Sequence, residues 1–155
     1  MKTKIKFAVI PALIALLIAG CGGMYGLVRY VDNDAPVVFE TNRFKITISY
    51  MSTGMHNTNY YSSVTVKNKT NRDQVFDTGA MELIIEKTGI SYYSISKDKS
   101  SISLPKNMSD VILTSKLKAG RAIEGRIWFS TPPGKANADV LKLTFDGHSI
   151  KLKAK

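Results

Sequence analysis

Few side chains in this sequence could do covalent or acid–base chemistry, and they lie far apart. Cys21 is the one cysteine in 155 residues, and His56 and His148 are the two histidines. A lone thiol forms no internal disulfide and builds no cysteine-based structural zinc site. A nucleophile–base pair needs an imidazole or a similar base close to a Ser, Thr or Cys. His56 sits among Gly54, Met55, Asn57 and Asn59, the composition of an exposed loop, and His148 follows Asp146-Gly147, the composition of a hairpin end. Paired carboxylates, a P-loop, a glycine-rich dinucleotide motif and metal-ligand spacing are all missing from the sequence. The expectation is therefore no catalytic residue, no metal, no cofactor and no enzymatic activity. What Cys21 can do is receive a covalent group.

The residues around that thiol indicate which group. Lys2, Lys4 and Lys6 precede an apolar run from Phe7 to Ala19 that only Pro11 interrupts, and small residues follow from Ala19 to Gly23. This is the layout of a secretory signal, with a core too short for a comfortable membrane span. Ile18-Ala19-Gly20-Cys21 resembles the bacterial lipobox. The resemblance implies that residues 1–20 are a lipoprotein signal peptide, with Ile18, Ala19 and Gly20 as the cleavage site. It also implies that Cys21 carries a thioether-linked diacylglycerol, with or without an N-acyl chain such as palmitate.

An uncleaved anchor with an inert Cys21, or a plain signal cut elsewhere, are the alternatives. Agreement among basic region, apolar core and Cys position favours lipidation. Two acyl chains, at ~0.8 kcal/mol per buried methylene, anchor stably where one is marginal. Gly22 stands where an Asp would resemble the inner-membrane retention signal. The expected address is therefore extracytoplasmic: the outer membrane of a diderm host, otherwise the outer face of the cytoplasmic membrane.

Behind the anchor, residues 21–36 carry Gly22, Gly23, Gly26, Asp32, Asn33, Asp34 and Pro36 and read as a lipidated tether. Its Met24, Tyr25, Leu27, Val28 and Tyr30 could rest on lipid or on the domain. Residues 37–155 read as one domain with a period of two. Phe44, Ile46, Ile48 and Tyr50 alternate with Lys45, Thr47 and Ser49, and Val64 and Val66 oppose Ser63, Thr65 and Lys67.

Two strands are expected around Lys87-Thr88-Gly89, and a short one at Val111–Leu113. Residues 96–110 read as a long loop, and Lys118-Ala119-Gly120-Arg121 as a turn. Ile123, Gly125, Ile127 and Phe129 then share one face. Asp146-Gly147 suits a two-residue type I′ turn, setting Leu143 opposite Ile150 and Leu141 opposite Leu152. Short strands at near-regular spacing, with no sustained helical period, predict an all-β, two-sheet antiparallel sandwich.

Three stretches, Tyr61–Thr70, Met81–Tyr92 and Leu117–Phe129, together resemble a telokin-like, immunoglobulin-like family of unknown function common in bacterial lipoproteins and secreted proteins. The third carries Leu117, Gly120, a second glycine at Gly125 and a Phe-ended strand; the family's usual Pro before the first glycine is Ala119 here. The resemblance implies an immunoglobulin-like sandwich outside the cytoplasm and supplies no activity or catalytic residue.

A non-catalytic role leaves binding as the expected work of the domain. The chain has 22 Lys+Arg against 12 Asp+Glu and a formal charge of +10. Its basic clusters are Lys97, Lys99 and Lys106; Lys116, Lys118 and Arg121; and Lys142, Lys151 and Lys153. Such a surface attracts anionic lipid headgroups, lipopolysaccharide, teichoic acid and acidic proteins, or is simply solvated. Nucleic acid is not expected outside the cytoplasm.

With Ile127 and Phe129 inward, Trp128 and Arg126 point outward, a pairing suited to a protein contact unless loop 96–110 covers it. One member of each pair Tyr60/Tyr61 and Tyr92/Tyr93 should also face out. The leading reading is a monomeric, lipid-anchored sandwich that binds an envelope component or an external protein. A structural spacer, or a mobile-element exclusion lipoprotein that blocks a receptor or injection machinery, are the alternatives.

Overall fold

The computed structural model of the chain describes residues 27–54, 59–95, 110–132 and 135–155. Ile18, Ala19, Gly20, Cys21, His56 and loop residues 96–109 lie outside them. In chain order the strands are β1 (Arg29–Val31), β2 (Val37–Glu40), β3 (Phe44–Thr53), β4 (Asn59–Asn68), β5 (Gln74–Asp77), β6 (Glu82–Ile85), β7 (Ser91–Tyr93), β8 (Thr114–Leu117), β9 (Ala122–Ser130), β10 (Val140–Phe145) and β11 (His148–Lys153). One sheet runs β1-β3-β4-β9, with β2 also on β3. A second runs β11-β10-β6-β7, and β5 pairs β8 in a ribbon. Every one of these pairings is antiparallel. The protein is an all-β sandwich, as its alternation requires.

Apolar alternation on both sheets supplies the core. Phe44, Ile46, Ile48, Val64, Val66, Ile127 and Phe129 are buried from the first sheet, and Leu83, Leu141, Leu143, Phe145 and Leu152 from the second. Each such side chain contributes about 1.5–3 kcal/mol by leaving water. Phe76 of the ribbon packs edge-on against Phe44 of the first sheet (5.3 Å) and Phe145 of the second (5.3 Å), so one ring cluster ties all three sheets. The last hairpin has the expected register: Leu143 faces Ile150 and Leu141 faces Leu152. Asp146 and Gly147 both have positive φ, 54° and 76°, as a type I′ turn demands.

Three expectations need correction. The span read as a tether contains β1, which pairs with the end of β3 and buries Tyr30 and Val31. The first sheet therefore includes Arg29–Val31, ahead of Val37. A Gly- and Asp-rich neighbourhood hides a three-residue strand, because so short a strand is fixed by its partner and not by its own pattern.

Tyr50 does not continue the inward face of β3. The register shifts between Ile48 and Tyr50, so Ser49 is a bulge residue; its hydroxyl donates to the Ser63 carbonyl at 3.2 Å. One extra residue reverses the alternation, and Met51 takes the core position while Tyr50 turns outward.

Val111–Leu113 is not a strand of its own. Val111 makes a single parallel bridge to Arg126, and the strand lies just beyond, at β8.

Candidate partner-binding face

The bulge has a functional consequence on the outer surface of the first sheet. Register sets Ser52 opposite Tyr61 and Tyr61 opposite Trp128, while Tyr50 comes out one position along. The three rings form a continuous ridge across β3, β4 and β9. Tyr50 and Tyr61 are 5.7 Å apart between centroids, tilted by 40°, and Tyr61 and Trp128 are 5.9 Å apart, tilted by 33°. All three are half-buried. Tyr60 is the inward member of its pair, packed at its inner end against Tyr30.

The ridge is polar at its edges. Hydrogen bonding with Ser52, then with Tyr61, holds the Tyr50 hydroxyl below its ordinary value, whereas burial pushes Tyr61 up. The Trp128 indole Nε1 is buried and has no hydrogen-bond partner among the described residues. An indole N–H left so is costly, because folding removes its water without replacing it. Beside the ridge, Ser49, Ser63, Thr65, Asp110, Glu124 and Arg126 line an open groove of about 500 Å³.

Arg126 is exposed and its Nε lies 2.7 Å from an Asp110 carboxylate oxygen. Both backbone faces of Arg126 are also used, donating to Asp110 O and accepting from Ile112 N, each at 2.8 Å. The groove therefore has a braced wall. Gly125 makes that close approach possible: a Cβ there would lie 2.5 Å from the Asp110 carbonyl oxygen and 2.7 Å from Ile112 Cγ1.

Trp128 and Arg126 stand on the outer face of the first sheet, and neighbouring residues that the sequence did not assign, Tyr50 and Ser49, lie beside them. Tyr61 was legible only as one of an adjacent pair.

The other chemistry-bearing residues come to less. His148 Nδ1 lies 2.8 Å from the carbonyl oxygen of Asp146, two residues back in the hairpin. Among the described residues, no group of three or more His, Cys, Asp and Glu could hold a metal ion, and no helix is long and apolar enough to cross a membrane. A second cavity of about 500 Å³ lies under the β6–β7 turn, floored by Ile85, Tyr92 and Val140 with Lys87, Lys135 and Asp139 around it.

Fold and face define an all-β sandwich with an aromatic ridge on one sheet. No family model and no curated protein matches the sequence. Three solved structures share the fold. The yjhA protein from Bacillus subtilis is 10% identical, with a TM-score of 0.53 over 77% of this chain and 96% of that one. A functionally unknown protein from Listeria monocytogenes is 8% identical, with a TM-score of 0.54 over 86% of each chain. A conserved hypothetical protein from Bacillus anthracis is 16% identical, with a TM-score of 0.52 over 83% and 97%. At these identities the likeness is one of fold alone.

Proposed function

We propose that the chain is a non-catalytic, lipid-anchored protein of the cell envelope whose sandwich binds a protein partner through the Tyr50–Tyr61–Trp128 ridge and Arg126. The observation that carries the reading is the ridge itself: three half-buried rings in contact on an outward sheet face. Trp, Tyr and Arg dominate the energy of protein contacts, and this face brings two tyrosines, a tryptophan and an arginine together. The anchor rests on the Ile18-Ala19-Gly20-Cys21 tetrapeptide. Seven residues separate Cys21 from Arg29, so the start of β1 lies within about 30 Å of the acylated residue, at up to ~3.6 Å per residue step. The domain would then work close to its membrane.

Two measurements test the two halves separately. Cys21→Ser should abolish metabolic labelling with a palmitate analogue and release the protein from the membrane; surviving label would overturn the anchor. A photo-crosslinking amino acid at position 128 should yield a discrete adduct in intact cells that the same probe at exposed Tyr93 does not. Trp128→Ala should weaken capture of that adduct's partner about tenfold or more while the melting temperature holds, as expected of a contact anchor. Identical crosslinks from both positions would remove the ridge as the binding face.

A further inference from the structure

Half of the cations among the described residues are already matched. Arg43 pairs with Asp146, Lys45 and Lys69 with Glu40, Lys116 with Asp73, Arg126 with Asp110, Lys151 with Glu86, and Arg29 and Lys155 with Asp32. Eight others form no ion pair with any described acid: Lys87, Lys135, Lys142 and Lys153, and the exposed set Lys67, Arg72, Lys118 and Arg121, which the fold brings to one end. Lys67 ends β4, Arg72 lies in the turn that follows, and Lys118 and Arg121 form the turn between β8 and β9. Lys67 is the register partner of Ala122, the residue next to Arg121. The four meet at the end of the sandwich opposite the start of β1.

A buried asparagine locks them together. Asn68 is fully buried, and its Nδ2 donates to the carbonyls of Arg72 (2.8 Å), Leu117 (3.1 Å) and Lys118 (3.1 Å). Its Oδ1 accepts from Thr70 N at 2.9 Å and Thr70 Oγ1 at 2.8 Å, and its backbone N–H donates to Arg121 O at 2.9 Å. The carbonyls of three of the four cationic residues are thus bound to one residue in the interior. A fully satisfied buried amide of this kind fixes its partners in place. Like charges are held near one another by backbone contacts; Asp73 and Glu40 are each already engaged by another lysine, and Glu124 stands diagonal to Lys67 across the β4–β9 pairing.

We infer that this end of the sandwich is a binding site for a linear polyanion that carries phosphate groups. Arg72 and Arg121 supply planar forks that match phosphate oxygens, and Lys67 and Lys118 add point charges. The cations are spread over two turns, so successive phosphates of one chain engage them where a single ion touches only part. Because the turns are pinned before binding, little ordering is needed when the ligand arrives. The site is separate from the ridge, and its success or failure is read without Trp128.

The test uses the full-length chain in a zwitterionic detergent, with long-chain inorganic polyphosphate, orthophosphate and a polyglutamate of matched charge as probes. Polyphosphate should bind well above the other two. Replacing Arg72 and Arg121 by Ala should weaken polyphosphate binding about tenfold or more and lower the slope of log K against log salt by about two. Replacing exposed Lys87 and Lys153, at the other end, by Ala should leave both nearly unchanged. Asn68→Ala, which removes no charge, should weaken binding wherever circular dichroism shows the sheet retained. Equal losses from the two double variants would mean that net charge alone binds, and would overturn the site. Equal binding of polyglutamate would overturn its assignment to phosphate and favour an acidic polypeptide.

Discussion

Gly125 and Gly147 are both required, for different reasons. At Gly147 the space is open and the constraint is its φ of 76°, which a β-branched residue strongly disfavours. Gly147→Val should therefore destabilise the domain by about 1–2 kcal/mol in urea unfolding, with no change in any binding measurement. Gly125 is a matter of space, since Asp110 O and Ile112 Cγ1 would both collide with a Cβ. Gly125→Ala should cost about 1–3 kcal/mol, and Ile112→Ala should not rescue it, because the backbone oxygen remains. Full rescue would mean that the side chain alone sets the limit. Gly147 could be read from the Asp-Gly pair between alternating strands. The need for Gly125 could not, since the segment that crowds it is distant in sequence and joins β9 through a single parallel bridge. Tyr50 was misassigned for a similar reason: nothing in Ile48-Ser49-Tyr50 announces a bulge, and one unpaired residue turns every later side chain over.

Turns at one end of the sandwich do more than reverse the chain. Arg43, between β2 and β3, grips Asp146 of the β10–β11 turn through two bonds, Nε to Oδ2 at 3.0 Å and an Nη2 bond to Oδ1 at 2.8 Å, while its guanidinium lies 5.2 Å from the Phe44 ring centre. The bidentate fork clamps the first sheet to the second. Arg43 holds the Asp146 carboxyl below its ordinary value, chiefly by hydrogen bonding. A depressed carboxylate stabilises the fold above its unfolded pKa, about 3.9, and that contribution is lost as pH falls through the lower folded value.

The Arg43 side chain is 42% exposed, so the pair is screened, and Arg43→Met should cost only about 0.5–1 kcal/mol at pH 7. The gap between wild type and variant should narrow as urea unfolding is repeated from pH 5 towards pH 2. A gap that widens in acid would contradict the clamp. The β10–β11 hairpin was legible because turn chemistry and apolar register agree. Strand β5 was not: Gln74–Asp77 offers one inward residue, Phe76, and an exposed Val75.

For the molecule as a whole, the sandwich is specified by alternation spread over many strands, which is why its class could be read despite local errors. The ridge and the cationic end could not be read so fully, because each is assembled from strands or turns far apart in sequence and fixed by registers that only the fold supplies. The first strand sets a test of the domain's true limit. Tyr30 lies against Tyr60, its hydroxyl donating to Ala138 O, and burial pushes that hydroxyl far above its ordinary value. A chain starting at Leu27 should be more stable than one starting at Pro36 by several kcal/mol, the scale of losing one buried Tyr and one buried Val. Equal melting temperatures would make β1 dispensable.

A pull on the chain ahead of Arg29 that is directed along β1 loads its pairing with the end of β3 lengthwise. Antiparallel hydrogen bonds stand perpendicular to that direction, so they are sheared together and not peeled one by one. Val31 and Tyr30, seated in the core, act as barbs against the pull. Three residues of strand thereby make a mechanical fastening, and its release under load is set by the unfolding barrier and not by equilibrium stability.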